Sequence, residues 1–150
     1  MQEEKREVAP NRYPILNTYV NALSMDGTVD YVKRVIARRT PPVQHVVINA
    51  LKVNLMEKDP ELREIVNSCP LINADGASIL WAAKKLGVPV NERVTGIDLF
   101  MRLVEEAAKN GYKIYLFGAK PEVVEEVRDI FMEQYPTLQI VGMRNGYFGP

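Results

Sequence analysis

Asp75 ends a short apolar run, Leu71-Ile72-Asn73-Ala74, and is followed by Gly76 and the small residues Ala77 and Ser78. A carboxylate beside the free N–H groups of a helix start stays ionised and can take a proton from a hydroxyl that reaches it. The same carboxylate can instead cap the helix, and spacing alone does not separate the two roles. Asn49 follows a second apolar run, His45-Val46-Val47-Ile48, and carries a similar pair of readings, ligand contact or cap. The densest polar cluster is Asn91-Glu92-Arg93-Val94-Thr95-Gly96-Ile97-Asp98-Leu99. Within it Arg93 offers a forked grip on a diphosphate, and Asp98 can accept a bond from a ribose or sugar hydroxyl. The plainer alternative is a salt-bridged loop in which Thr95 caps the next helix. Gly118-Ala119-Lys120 is a tight turn between a strand-like and a helix-like run, a shape that faces backbone N–H groups toward a phosphate.

Other chemistries are poorly served. The Gly118 turn lacks the full G-x-G-x-x-G fingerprint, and no G-x-x-x-x-G-K-[ST] occurs in the chain. His45 is the only histidine and Cys69 the only cysteine, so neither a metal cluster nor a nucleophilic triad is signalled. Core packing is the better reading of His45.

The elements that must position these residues alternate. Strands are predicted over Ile15–Leu23, His45–Ile48, Leu71–Ile72, Lys113–Phe117 and Leu138–Val141. Helices are predicted from Ser24 to Arg38-Arg39, over Leu51–Glu57, Pro60–Asn67, Gly76–Leu86 with Gly87 as its stop, Ile97–Lys109 and Pro121–Tyr135. This order predicts an α/β, Rossmann-like fold: a mostly parallel sheet with helices on both faces. In such sheets ligands bind at the carboxyl ends of the strands, which is where Asn49, Asp75 and Gly118 fall. Residues 1–12 read as a flexible tail and 13–150 as a single domain.

The chain has 150 residues, 47% hydrophobic and 25% charged, enough for one buried core. Nineteen basic and nineteen acidic residues cancel, so no global field draws nucleic acid. No apolar run approaches the ~20 residues of a membrane helix, and the start MQEEKREVAPN has no apolar signal region. A lone cysteine favours a reducing compartment. The ending Arg144-Asn145-Gly146-Tyr147-Phe148-Gly149-Pro150 is a string of turn signals, as if the chain stopped within a connection.

Four segments, INALKVNLMEKDPELREIVN, ADGASILWAAKKLGVPVNERVTGIDLF, KIYLFGAKPEVVEE and IVGMRNGYF, together resemble the WecG/TagA/CpsF glycosyltransferases from about residue 15 to the end. The resemblance implies transfer of an N-acetylmannosamine-type sugar from a UDP donor to a polyprenyl-diphosphate-linked acceptor. The setting it implies is the inner face of the bacterial cytoplasmic membrane, with cytoplasmic, peripheral attachment, in cell-wall (teichoic acid), capsule or surface-antigen synthesis. It makes Asp75 the general base of an inverting, metal-independent displacement that uses no cofactor. Asn49 becomes an active-site polar residue and Arg93 the partner of the leaving diphosphate. Gly96 and Asp98 fall in the same segment, and Gly118 and Ala119 on the nucleotide side. Two positions depart from the family pattern: Val47 stands where relatives carry Thr, and Leu51 where they carry an acid. The family chain also continues beyond the GYF segment, so a cut chain of weak or no activity is expected. A non-catalytic nucleotide-binding or scaffolding module is the rival reading, a dinucleotide-using sugar-nucleotide enzyme the third, and a homo-oligomer stays open.

Overall fold

A computed structural model describes residues 8–39 and 41–149. The chain divides between Leu99 and Phe100 into two compact units. The first opens with β1 (Arg12–Ile15) and β2 (Thr18–Asn21), an antiparallel hairpin in which Ile15 pairs with Thr18. One strand was predicted here. The chain reverses because Leu16 takes a left-handed φ of 53°, an uncommon conformation for a residue with a side chain. Asn17 completes the turn and anchors it, donating from Nδ2 to the Val53 carbonyl at 3.2 Å and to Glu57 Oε2 at 2.9 Å.

Helix α1 (Met25–Arg38) starts on Ser24, whose hydroxyl accepts from Gly27 N at 3.1 Å, and ends with Arg39 in the left-handed region. β3 (His45–Ile48) leads into α2 (Ala50–Lys58) and α3 (Pro60–Ser68); Asp59 caps α3 ahead of Pro60. β4 (Leu71–Ala74) lies parallel to β3, in register from His45–Leu71 to Ile48–Ala74. α4 (Ala77–Leu86) is closed by left-handed Gly87, and α5 (Gly96–Asn110) runs across the division between the units. Ile15, Val20, Ile48, Met56, Ile72 and Ala83 form the centre of this unit's core. Each large aliphatic side chain fully buried there stabilises by about 1.5–3 kcal/mol.

Residues 1–7 of the predicted tail lie outside the described residues. The rest of it is built into the fold: Ala9 is buried and donates to the Pro70 carbonyl, and Arg12 donates to the carbonyls of Asn67 and Cys69.

β4 is buried throughout, and its one polar side chain, Asn73, is bonded through both its amide nitrogen and its oxygen. Asn73 Nδ2 donates to Thr28 Oγ1 at 3.0 Å, which leaves Oδ1 to accept from His45 Nε2 at 3.0 Å. Burial pushes the His45 imidazolium below its ordinary range, against the Asn73 bond that favours it; Lys52 pushes it further down. The neutral ring is thus favoured in the fold, while the unfolded chain takes up a proton near the ordinary value of about 6.5. Stability from this group is complete above that value and is lost as pH falls from it through the lower folded value. Melting temperature should therefore drop as pH falls below about 6.5, and His45→Gln should flatten that dependence. An unchanged slope in the variant would remove His45 as its source.

The second unit holds the rest of α5, then β5 (Lys113–Phe117), α6 (Pro121–Gln134) and β6 (Gln139–Arg144). β5 and β6 are parallel, with a register shift between Ile114 and Tyr115. Val104, Ala107, Phe131 and Leu138 make its core. With two parallel strand pairs alternating with helices, the architecture is α/β and Rossmann-like, though its sheets are small.

Candidate active site

The parallel ladder sets the site. Asp75 N donates to the Ile48 carbonyl at 2.8 Å, which carries the pairing one step beyond β4 and brings Asn49 and Asp75 out side by side. Asn49 does cap α2: its Oδ1 accepts from Lys52 N at 2.9 Å. Its Nδ2 has no partner among the described residues and remains a donor for a ligand.

Asp75 does not cap α4. The N-cap is Gly76, which offers no side chain, at φ 125° and ψ 145°. That backbone region is open in practice only to glycine. One residue is thereby inserted between strand and helix, and the half-buried Asp75 carboxylate is left with no hydrogen bond or ion pair among the described residues. A Cβ at position 76 would meet nothing nearer than Ser78 Oγ at 3.7 Å, so conformation rather than space demands glycine. Gly76→Ala should cost about 1–3 kcal/mol and pull Asp75 out of place, lowering both melting temperature and transfer rate. Adding Ser78→Ala should not rescue it; a rescue would mean that crowding was the cause.

The NERVTG segment closes onto the same strand ends. Val94 N donates to the Ala74 carbonyl at 2.9 Å, and Gly96 lies against Val47, with a Cβ there 3.7 Å from Val47 Cγ2. Arg93 beside it is exposed, with no hydrogen bond or ion pair among the described residues, so the salt-bridged loop is not formed by this arginine. Thr95 does take the capping role: its hydroxyl accepts from Asp98 N at 3.1 Å and donates to Asp98 Oδ2 at 2.5 Å. Asp98 is thus partly committed to the first turn of α5. Asn49, Asp75, the Arg93 backbone and Gly96 therefore gather at one end of β3 and β4.

Lys52 was not singled out from sequence, where a helix lysine reads as solvated. It is half-buried, and its Nζ donates to the Val47 carbonyl at 2.8 Å, fixing a cation against the end of β3.

Gly118 and Ala119 belong to the second unit. They end β5 with φ values of 129° and 59°, and the terminal segment folds onto them: Gly118 N donates to the Arg144 carbonyl and Gly146 N to the Ala119 carbonyl, each at 2.9 Å. Phe148 stacks near Phe117, centroids 5.8 Å apart, with the Arg144 guanidinium 4.3 Å from its ring centre. The next helix, α6, begins at Pro121, which has no N–H, and Val123 N and Val124 N both donate to the Lys120 carbonyl, at 3.1 and 3.0 Å, so the helix start closes on itself beside Gly118 and Ala119. A largely apolar cleft of about 390 Å³ adjoins them, walled by Phe100, Phe117, Val124 and Val127. Phe100 and Phe117 were missed as candidate site residues because apolar residues carry no chemical signature.

Fold and site together define a Rossmann-like α/β protein with an unencumbered carboxylate at the carboxyl end of a parallel strand pair. The model of the Glycosyl transferase WecG/TagA/CpsF family matches residues 13–150, and the chain belongs to that family.

Proposed function

We propose that this glycosyltransferase moves an N-acetylhexosamine-type sugar from a UDP donor to a polyprenyl-diphosphate-linked acceptor at the inner face of the cytoplasmic membrane. The observation that carries the reading is Asp75, freed from capping by Gly76 and set beside the open amide of Asn49. The acceptor hydroxyl gives its proton to the Asp75 carboxylate as its oxygen bonds to the anomeric carbon. The bond from that carbon to the diphosphate oxygen breaks, and UDP leaves with the electron pair from the opposite face, inverting the centre. Asn49 Nδ2 orients a sugar hydroxyl. Arg93, exposed and without a carboxylate partner, meets the charge growing on the diphosphate. The Gly118–Ala119 turn suits the nucleotide. No step needs a metal or a cofactor.

A thermal-shift series tests the donor. A ligand at about 100 times its Kd raises stability by about 2.7 kcal/mol. UDP and UDP-N-acetylhexosamines should raise the melting temperature, and NAD should not; the opposite pattern would overturn the reading. Arg93→Ala should weaken UDP binding by about tenfold or more, and unchanged affinity would remove its phosphate role. A UDP shift without sugar transfer to a lipid-linked acceptor would favour the non-catalytic module instead.

A further inference from the structure

We infer that the outer face of α4 is a membrane contact that lies in the headgroup layer of an anionic bilayer. The role rests on the proposed function in one respect, that the acceptor is carried by a lipid. Ala77, Ser78, Trp81, Lys84 and Lys85 are all exposed and recur at the spacing of a single helix face, while Ile79 and Ala83 on the other side are buried in the core. Trp81 is 65% exposed, and the Lys85 ammonium stands 5.8 Å from its ring centre. A wide ring with a polar edge, flanked by long-stemmed cations, is the combination that settles at the boundary between headgroups and acyl chains.

The charge matches such a surface. From Gly76 to Asn91 the only charged residues are Lys84 and Lys85, in a chain whose total charge is zero. A local cationic strip on an apolar face complements an anionic leaflet. Leu86 at the far end of the helix adds exposed apolar surface, 57% exposed. No helix among the described residues is long and apolar enough to cross a membrane, so the contact lies in the plane of the interface. α4 is about 15 Å long, and Asp75 directly precedes its N-cap. A helix lying flat keeps that carboxylate at headgroup depth, where a diphosphate-linked acceptor presents its hydroxyl.

Trp81 is the only tryptophan in the chain, so its fluorescence reports on this face alone. Vesicles of phosphatidylcholine and phosphatidylglycerol in equal parts should shift its emission to the blue, and brominated acyl chains should quench it. Pure phosphatidylcholine should do both far more weakly. Each lysine near the surface accounts for about fivefold in partitioning, so Lys84→Gln with Lys85→Gln should lose about thirtyfold while transfer to a water-soluble acceptor stays at the level of the unsubstituted chain. An emission unmoved by anionic vesicles overturns the inference, as does vesicle binding undiminished in the double variant. A blue shift that grows with protein concentration without vesicles also overturns it, because a second copy then covers the face. Transfer to a soluble acceptor with no vesicle binding sinks this inference and leaves the proposed function standing; vesicle binding with no transfer from any UDP-sugar does the reverse.

Discussion

Asp75→Asn should leave UDP affinity and melting temperature unchanged and lower the transfer rate by roughly a hundredfold to ten-thousandfold, the range that a positioned general base contributes. The substitution is nearly isosteric, and the carboxylate makes no hydrogen bond or ion pair among the described residues that the amide would break. A structural role would show in the melting curve; a catalytic one shows only in turnover. Near-normal turnover in the variant would remove Asp75 as the base. A fall in melting temperature matching the fall in rate would make it a structural residue.

Asn21→Leu should be the most damaging single change to stability. The Asn21 side chain is 1% exposed and makes three bonds to backbone. Nδ2 donates to the carbonyls of Ala9 and Pro10 at 2.9 and 3.0 Å, and Oδ1 accepts from Ile72 N at 2.8 Å. Leucine fills the same space and satisfies none of them. Each buried backbone group left without a partner costs about 1–3 kcal/mol, and partial relaxation brings the sum to roughly 3–5 kcal/mol, against the 5–15 kcal/mol that holds a typical domain. Urea unfolding would measure it as a lower midpoint at unchanged slope. A loss below about 1 kcal/mol would mean that these groups find water or other partners.

The parts of this molecule that were legible in its sequence are those set by local chemistry. A helix starts after Ser24, Pro60 opens another, Gly87 stops a third, and Thr95 closes the first turn of α5. Each acts within a few residues of itself. The hairpin was not legible, because its turn is Leu16-Asn17, without the glycine that usually marks such a reversal, and is held by Asn17 bonds to a helix more than thirty residues away. Asp75 was legible as a carboxylate at a strand end, but whether it caps was not. That depended on the φ of Gly76, which no spacing rule specifies. The bonds from Asn21 to β4 and from Asn73 to His45 and Thr28 join residues 28 to 51 positions apart, so no window of sequence contains them. Lys52 was overlooked because its burial depends on where the end of β3 comes to rest.

The edge of β4 turned away from β3 has a further consequence. Three unrelated pieces of chain occupy it: Ala9 N on the Pro70 carbonyl, Asn21 Oδ1 on Ile72 N, and Val94 N on the Ala74 carbonyl. None of these three bonds comes from a neighbouring strand's ladder. An all-buried strand with an open row of backbone groups is a template on which another molecule can add a strand, and such rows seed aggregation. Here the row is blocked piecemeal, by the segment ahead of β1, a side chain and the loop that carries Arg93. Loosening any one of the three opens a docking edge for a foreign strand, and the failure would then be seen as precipitate instead of a soluble unfolded chain.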